Sequence, residues 1–116
     1  MRKTRHRAAQ WLLEQPRKPD GGEVDEVLDF LDSLGLLVKR GGLDPQMVWH
    51  SFFYWIDGYR NAASDIVAEE QRKNPRVWED LEYLYQCLLK IENEKGMQRQ
   101  EDIKAFLEGE IDQDKP

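Results

Sequence analysis

His50, Tyr54, Asp57 and Asn61 are the residues of this chain whose types and spacing could do chemistry. They stand four, three and four residues apart, which on an α-helix places them in one line along a single face. An imidazole that titrates near neutrality and a carboxylate two turns away would suit acid–base work. The phenol and the amide could hold a ligand or a partner by hydrogen bonds. The plainer reading is a hydrated helix face with a loosely packed tyrosine. Arg60, on the same segment, points instead into an apolar half-cylinder. A buried guanidinium needs a carboxylate, and Asp29, Asp32, Glu79 and Glu82 are the acids near the inner faces of neighbouring segments. An arginine at the arc's edge with its head in water is the alternative, and an anion-binding role is a third.

Other chemistry is sparse. The two histidines, His6 and His50, lie in separate segments, and a single cysteine, Cys87, leaves no paired thiol ligands. Asp65 and Glu69 share a face at i, i+4, but a two-metal bundle needs acid and histidine pairs on further helices. Gly21-Gly22 and Gly41-Gly42 read as loop and cap glycines, because no phosphate-binding glycine motif surrounds them. Ser33, Ser51 and Ser64 read as mid-helix, and none has a paired base nearby in sequence. Neither a catalytic centre, a metal site nor a cofactor is expected.

Charge narrows the partners. The net charge is −6, but residues 1–19 carry six Lys/Arg against one acid, and the rest carries eleven against 22. An acidic body argues against a duplex-binding surface, since phosphate contacts need clustered cations. The basic head, residues 1–7, could meet nucleic acid, an anionic lipid surface or the protein's own acidic body. No apolar run reaches the roughly 20 residues that span a bilayer. One cysteine suits a reducing compartment, so a cytoplasmic setting is expected.

Five helical segments would position these residues. The first covers about 3–14 and stops before Pro16, where Pro16 to Gly22 reads as a loop. The second starts near Glu23 and presents Val24, Val27, Leu28, Leu31, Leu34 and Val38 at helical spacing. Gly35 lies inside that run, and a break there with residues 36–38 extended is the alternative. Gly41-Gly42 ends it. The third runs from Asp44 to about Lys73, with Asp44 as cap and Pro45 at the first helical position. It gathers Trp49, Phe52, Phe53, Tyr54, Trp55 and Tyr59 within a few turns, so it should be the pillar of the fold. Asn74-Pro75 repeats the cap-then-proline device and opens the fourth, which carries Val77, Trp78, Leu81, Leu84, Tyr85, Leu88 and Ile91 to Gly96. Tyr83 and Cys87 fall off that face. A fifth, about 98–108, shows Ile103, Phe106 and Leu107. The expectation is an all-α compact bundle of four to five helices around a long aromatic-rich helix. Its organisation would be a basic helix and loop at 1–22, a bundle at 23–108 and a frayed tail at 109–116.

The stretch V-L-D-F-L-D-S-L-G-L-L-V-K-R-G-G-L-D-P-Q-M-V-W, followed by F-F-Y-W-I-D-G-Y-R and R-K-N-P-R-V-W-E-D-L-E-Y-L-Y, resembles an uncharacterised bacterial all-helical domain family over about residues 24–88. The resemblance implies a helical fold and names no activity or site residue. Some similar chains carry a membrane-spanning helix ahead of this domain, whereas this one begins with a basic, non-spanning segment.

Together these features point to a non-enzymatic protein-interaction or regulatory domain acting through a preformed helical surface, with a protein partner or self-association. The alternative is a small acidic inhibitor or antitoxin-like protein of phage or plasmid conflict systems that occludes a basic partner.

Overall fold

The computed structural model describes residues 2–14, 22–95 and 103–112. Six α-helices lie within them: α1 (Arg2–Leu13), α2 (Gly22–Lys39), α3 (Pro45–Ala62), α4 (Ser64–Lys73), α5 (Glu79–Lys95) and α6 (Ile103–Asp112). Of the loop read at Pro16 to Gly22, only Gly22 is described, and it opens α2. Gly96 and the last four residues of the tail lie outside the described residues.

The broadest helix–helix contact is between α2 and α5. Gly35 makes it possible: a Cβ there would sit on the Asp80 carbonyl, so the two backbones touch. The glycine therefore serves close packing, and α2 continues through it to Lys39 instead of breaking. Leu28, Leu31 and Val38 of α2 are buried with Leu81, Leu84 and Leu88 of α5 in one core. After Lys39, the Gly42 N–H donates to the Leu37 carbonyl at 2.8 Å and the Gly41 N–H to Val38 at 3.0 Å. Gly41 has φ +80°, so this is a Schellman cap whose left-handed position only glycine takes without strain. α3 then starts as its sequence dictates: the Asp44 carboxylate accepts the Gln46 N–H at 3.0 Å, and Pro45 follows the cap.

Three element bounds depart from the sequence reading. The long third helix is two helices, α3 and α4, separated at Ala63 (φ −101°, ψ 16°). Ala62-Ala63-Ser64 contains no glycine or proline, so periodicity runs through the bend unmarked. The start of α5 lies at Glu79 rather than at Pro75. Asn74 Oδ1 does accept the Arg76 N–H at 3.1 Å. The chain then turns through Trp78, whose φ of +54° is left-handed and strained for a large side chain. α2 holds this turn: Trp78 Nε1 donates to Asp29 Oδ1 at 2.7 Å, and Asp32 Oδ1 accepts the Leu81 N–H at 2.8 Å. Asp32 thus caps a helix from another element, where local sequence shows no cap. Finally, α6 runs through Gly109 to Asp112, past the bound read at 108, and buries Glu110.

α1 packs on α2 and α6 through Ala8, Ala9 and Leu12. α3 lies against α5, α6 and α2, which accounts for its wide apolar arc.

Candidate functional site

On α3 the four residues of the polar line part company. His50 is exposed, its ring 6.4 Å from that of Trp49. Tyr54 is 44% exposed, with one side of its ring packed 5.0 Å from Phe106 and set edgewise to Trp55 at 6.2 Å. Partial burial, and secondarily the charge of Glu110, raises the Tyr54 pKa above its ordinary value. Asp57 turns inward and is 2% exposed. It accepts from the Tyr85 hydroxyl at 2.9 Å and from Asn61 Nδ2 at 3.0 Å. Asn61 is half-buried beside it, its Nδ2 also 3.4 Å from the Tyr85 oxygen. The tyrosine of α5 therefore takes the carboxylate that an imidazole would need, and His50 lies roughly 10 Å up the helix axis from Asp57.

Arg60 is held by Glu82. Its Nε and Nη2 each donate to one carboxylate oxygen at 3.0 Å, a fork-to-fork pair between α3 and α5. The guanidinium lies 4.7 Å from the centre of the Tyr85 ring, and Nη1 reaches Asn61 Oδ1 at 3.4 Å. The Glu82 hydrogen bonds raise its pKa further. Arg60, Asn61, Asp57, Tyr85 and Glu82 thus form one polar seam that joins the two helices.

Glu92 and Glu110 escaped the sequence reading, and Asp29 was read there only as a possible partner of Arg60. Three tryptophans each give their indole N–H to an acid on a different element: Trp49 to Glu92 at 2.7 Å, Trp55 to Glu110 at 2.9 Å, and Trp78, in the turn before α5, to Asp29 at 2.7 Å. Glu110, 4% exposed, also accepts from the Tyr59 hydroxyl at 2.8 Å and from Arg5 Nη1 at 3.2 Å. The Tyr59 oxygen lies 2.9 Å from the Arg5 carbonyl as well, so its one proton serves either acceptor. Arg5 stacks 4.6 Å above Trp55. One signal was available: a buried indole N–H wants an acceptor. Which acid supplies it depends on tertiary packing.

The basic head meets the acidic body through Arg5 on Glu110 and, loosely at 4.0 Å, through Arg7 on Glu23. Cys87 is half-buried, and the exposed Tyr83 next to it is raised in pKa first by their hydrogen bond. Among the described residues, no group of three or more His, Cys, Asp or Glu is placed to hold a metal ion. No helix of the described residues is long and apolar enough to cross a membrane.

A family model described as a domain of unknown function, DUF4760, matches residues 2–87. The chain belongs to the DUF4760 family. No curated protein and no solved structure matches the chain. The matched stretch runs from α1 into the middle of α5, so it contains Trp49, Trp55 and Tyr59. Glu92 and Glu110, which receive their donors, lie beyond it.

Proposed function

We propose that this DUF4760 domain is a non-enzymatic recognition module that binds a protein partner through the outer face of α3, with His50 and Tyr54 at its centre. The observation that carries the reading is Tyr54. Its ring is large and amphipathic, is held from behind by Phe106 and Trp55, and is still 44% exposed. Such a side chain loses little conformational freedom on binding and supplies much contact area, the usual profile of an interface anchor. Asp57 and Asn61 belong to the seam behind this face, where they fix α3 against α5 and so preform the surface. The acids that could have served catalysis, Asp57, Glu92 and Glu110, are each committed to phenol, indole or guanidinium donors. A single free thiol suits a reducing, cytoplasmic setting.

Affinity capture with the tagged chain tests this directly. The wild-type protein is expected to retain a stoichiometric partner that the Tyr54→Ala/His50→Ala variant loses, while the variant still unfolds cooperatively. Identical capture by the two proteins would remove α3's outer face from consideration.

A second reading, an acidic inhibitor that covers a basic partner, draws on the net charge of −6 and on Asp25. Asp25 is raised in pKa by burial and then by the neighbouring charges of Asp29 and Glu70, which marks a concentration of acids where α2 passes α4. Capture that disappears between low and moderate salt would favour it; salt-insensitive capture would not.

A further inference from the structure

A half-open cleft of about 240 Å³ lies between α1, α2 and α3. Val27, Phe30 and Leu31 line it from α2, Phe52 and Trp55 from α3, and among the described residues Arg5 is the one charged side chain on its lining. We propose that this cleft binds a free aliphatic carboxylate, with the chain between the α2 and α3 walls and the head group on Arg5. Size and the donor-only chemistry of Arg5 both select this ligand. An apolar cavity of roughly 150 Å³ accepts a six-atom ring, so this one fits a ligand on the order of ten non-hydrogen atoms. The walls are apolar and aromatic, so they reward a hydrocarbon body and offer no hydrogen bonds along it.

The head group follows from Arg5. Its Nη1 is the atom that meets Glu110, at 3.2 Å, and among the described residues its Nε and Nη2 donate to no other group. A guanidinium carries five N–H donors and no acceptor, so beyond its bond to Glu110 it can serve a second acceptor and offers nothing to an ammonium, which is a donor only. Stacking on Trp55 and the bond to Glu110 fix its position in advance. α1 reinforces the preference, because it carries Arg2, Lys3, Arg5 and Arg7 and no acid. The Tyr59 hydroxyl at the same cleft is already given to Glu110 or the Arg5 carbonyl. Arg5 therefore decides which head group is accepted.

The test is titration of the full chain with octanoate, octanol and octylamine, read by tryptophan fluorescence and by the indole N–H resonances. Octanoate is expected to saturate and to bind about tenfold or more tightly than octylamine, with octanol between them. Phe30→Ala removes part of a half-buried wall and leaves Arg5 and Glu110 in place. It is expected to weaken octanoate about fivefold or more while unfolding stays cooperative. Three results would overturn the proposal: no saturation by about 10 mM octanoate, equal affinity for octylamine, or unchanged octanoate affinity in Phe30→Ala. None of these readouts involves Tyr54 or a protein partner, so this proposal and the recognition reading stand or fall separately.

Discussion

Replacing Glu110 tests the idea that one buried carboxylate ties the first and last described helices to the centre. The native group receives three donors: Arg5 Nη1 at 3.2 Å, Trp55 Nε1 at 2.9 Å and the Tyr59 hydroxyl at 2.8 Å. Glu110→Ala leaves all three facing a small void. An unsatisfied buried donor costs about 1–3 kcal/mol, more when charged, and breaking a buried ion pair by removing one partner costs about 3–5 kcal/mol. Two terms lower the total. Arg5 is 19% exposed along its side chain and can reach water, and the Tyr59 hydroxyl keeps the Arg5 carbonyl as an acceptor. The net expectation is a loss of about 3–5 kcal/mol, a large share of the roughly 5–15 kcal/mol that holds a domain folded. Glu110→Gln keeps one acceptor oxygen and loses the charge, so about half that cost is expected.

Urea unfolding of wild type, Glu110→Ala, Trp55→Phe and the double variant gives the coupling directly. A hydrogen bond to a charged acceptor predicts about 1.5–3 kcal/mol between Trp55 and Glu110. A Glu110→Ala cost below about 1 kcal/mol, or strictly additive single variants, would refute the reasoning. Either result would mean that water, not the three protein donors, satisfies this carboxylate.

Other perturbations follow from the same geometry. Gly58→Ala would push a methyl group into the Phe106 ring; a loss of about 1–3 kcal/mol is expected by thermal melting, eased when Phe106→Leu makes room. Arg60→Met breaks the fork to Glu82 at a site where both side chains are a little under one-third exposed. A loss of about 1–2 kcal/mol is expected, between the exposed and buried limits, with a Glu82→Met cycle isolating the pair. Asp32 has its pKa raised above 3.8, first by burial and then by Asp80 and Asp29, against the lowering effect of the Leu81 N–H. The folded state then binds its proton more tightly than the unfolded state. This group's unfavourable contribution is full above its folded pKa and fades as pH falls through it. Asp32→Asn keeps an oxygen for Leu81 and is expected to be at least as stable as wild type near neutrality. That advantage should shrink in acid, as denaturation midpoints across pH would show.

Local chemistry made part of the fold legible. Asp44-Pro45 and Gly41-Gly42 announce a helix start and a helix end through side-chain and backbone requirements that are local, and both occur where they were read. The apolar spacing of α2 also survives, despite a glycine whose purpose is visible only when Asp80 is seen against it. What escaped was non-local. The bend at Ala63 has no breaker residue, and the late start of α5 follows from bonds that Asp29 and Asp32 make across the molecule. The candidate line on α3 divided for the same reason. A wheel places Asp57 with Tyr54, but Tyr85, 28 residues away, offers a hydroxyl and draws the acid inward. Arg60 was legible as an arginine in need of a carboxylate; Glu82, rather than the other three acids, is its partner because α5 brings it to the α3 seam.

The position of Glu110 bears on what the cooperative unit is. Residues 2–87 carry the family match, yet within this chain Trp55 and Tyr59 direct their polar atoms at an acid 51 or more residues away on α6. Gly58 leaves the space that Phe106 fills, and Phe106 in turn lies 5.1 Å edge-on to Tyr59 and 5.0 Å from Tyr54. Without α6, a phenol, an indole and a guanidinium would lose their shared acceptor, and a slot on α3 would open to water. Losing that acceptor and the apolar contacts of Phe106 together would weaken the seat of α1 on α3. α6 is therefore part of the folded unit that α1 and α3 require, and Tyr54 keeps its place on the surface because Phe106 stands behind it.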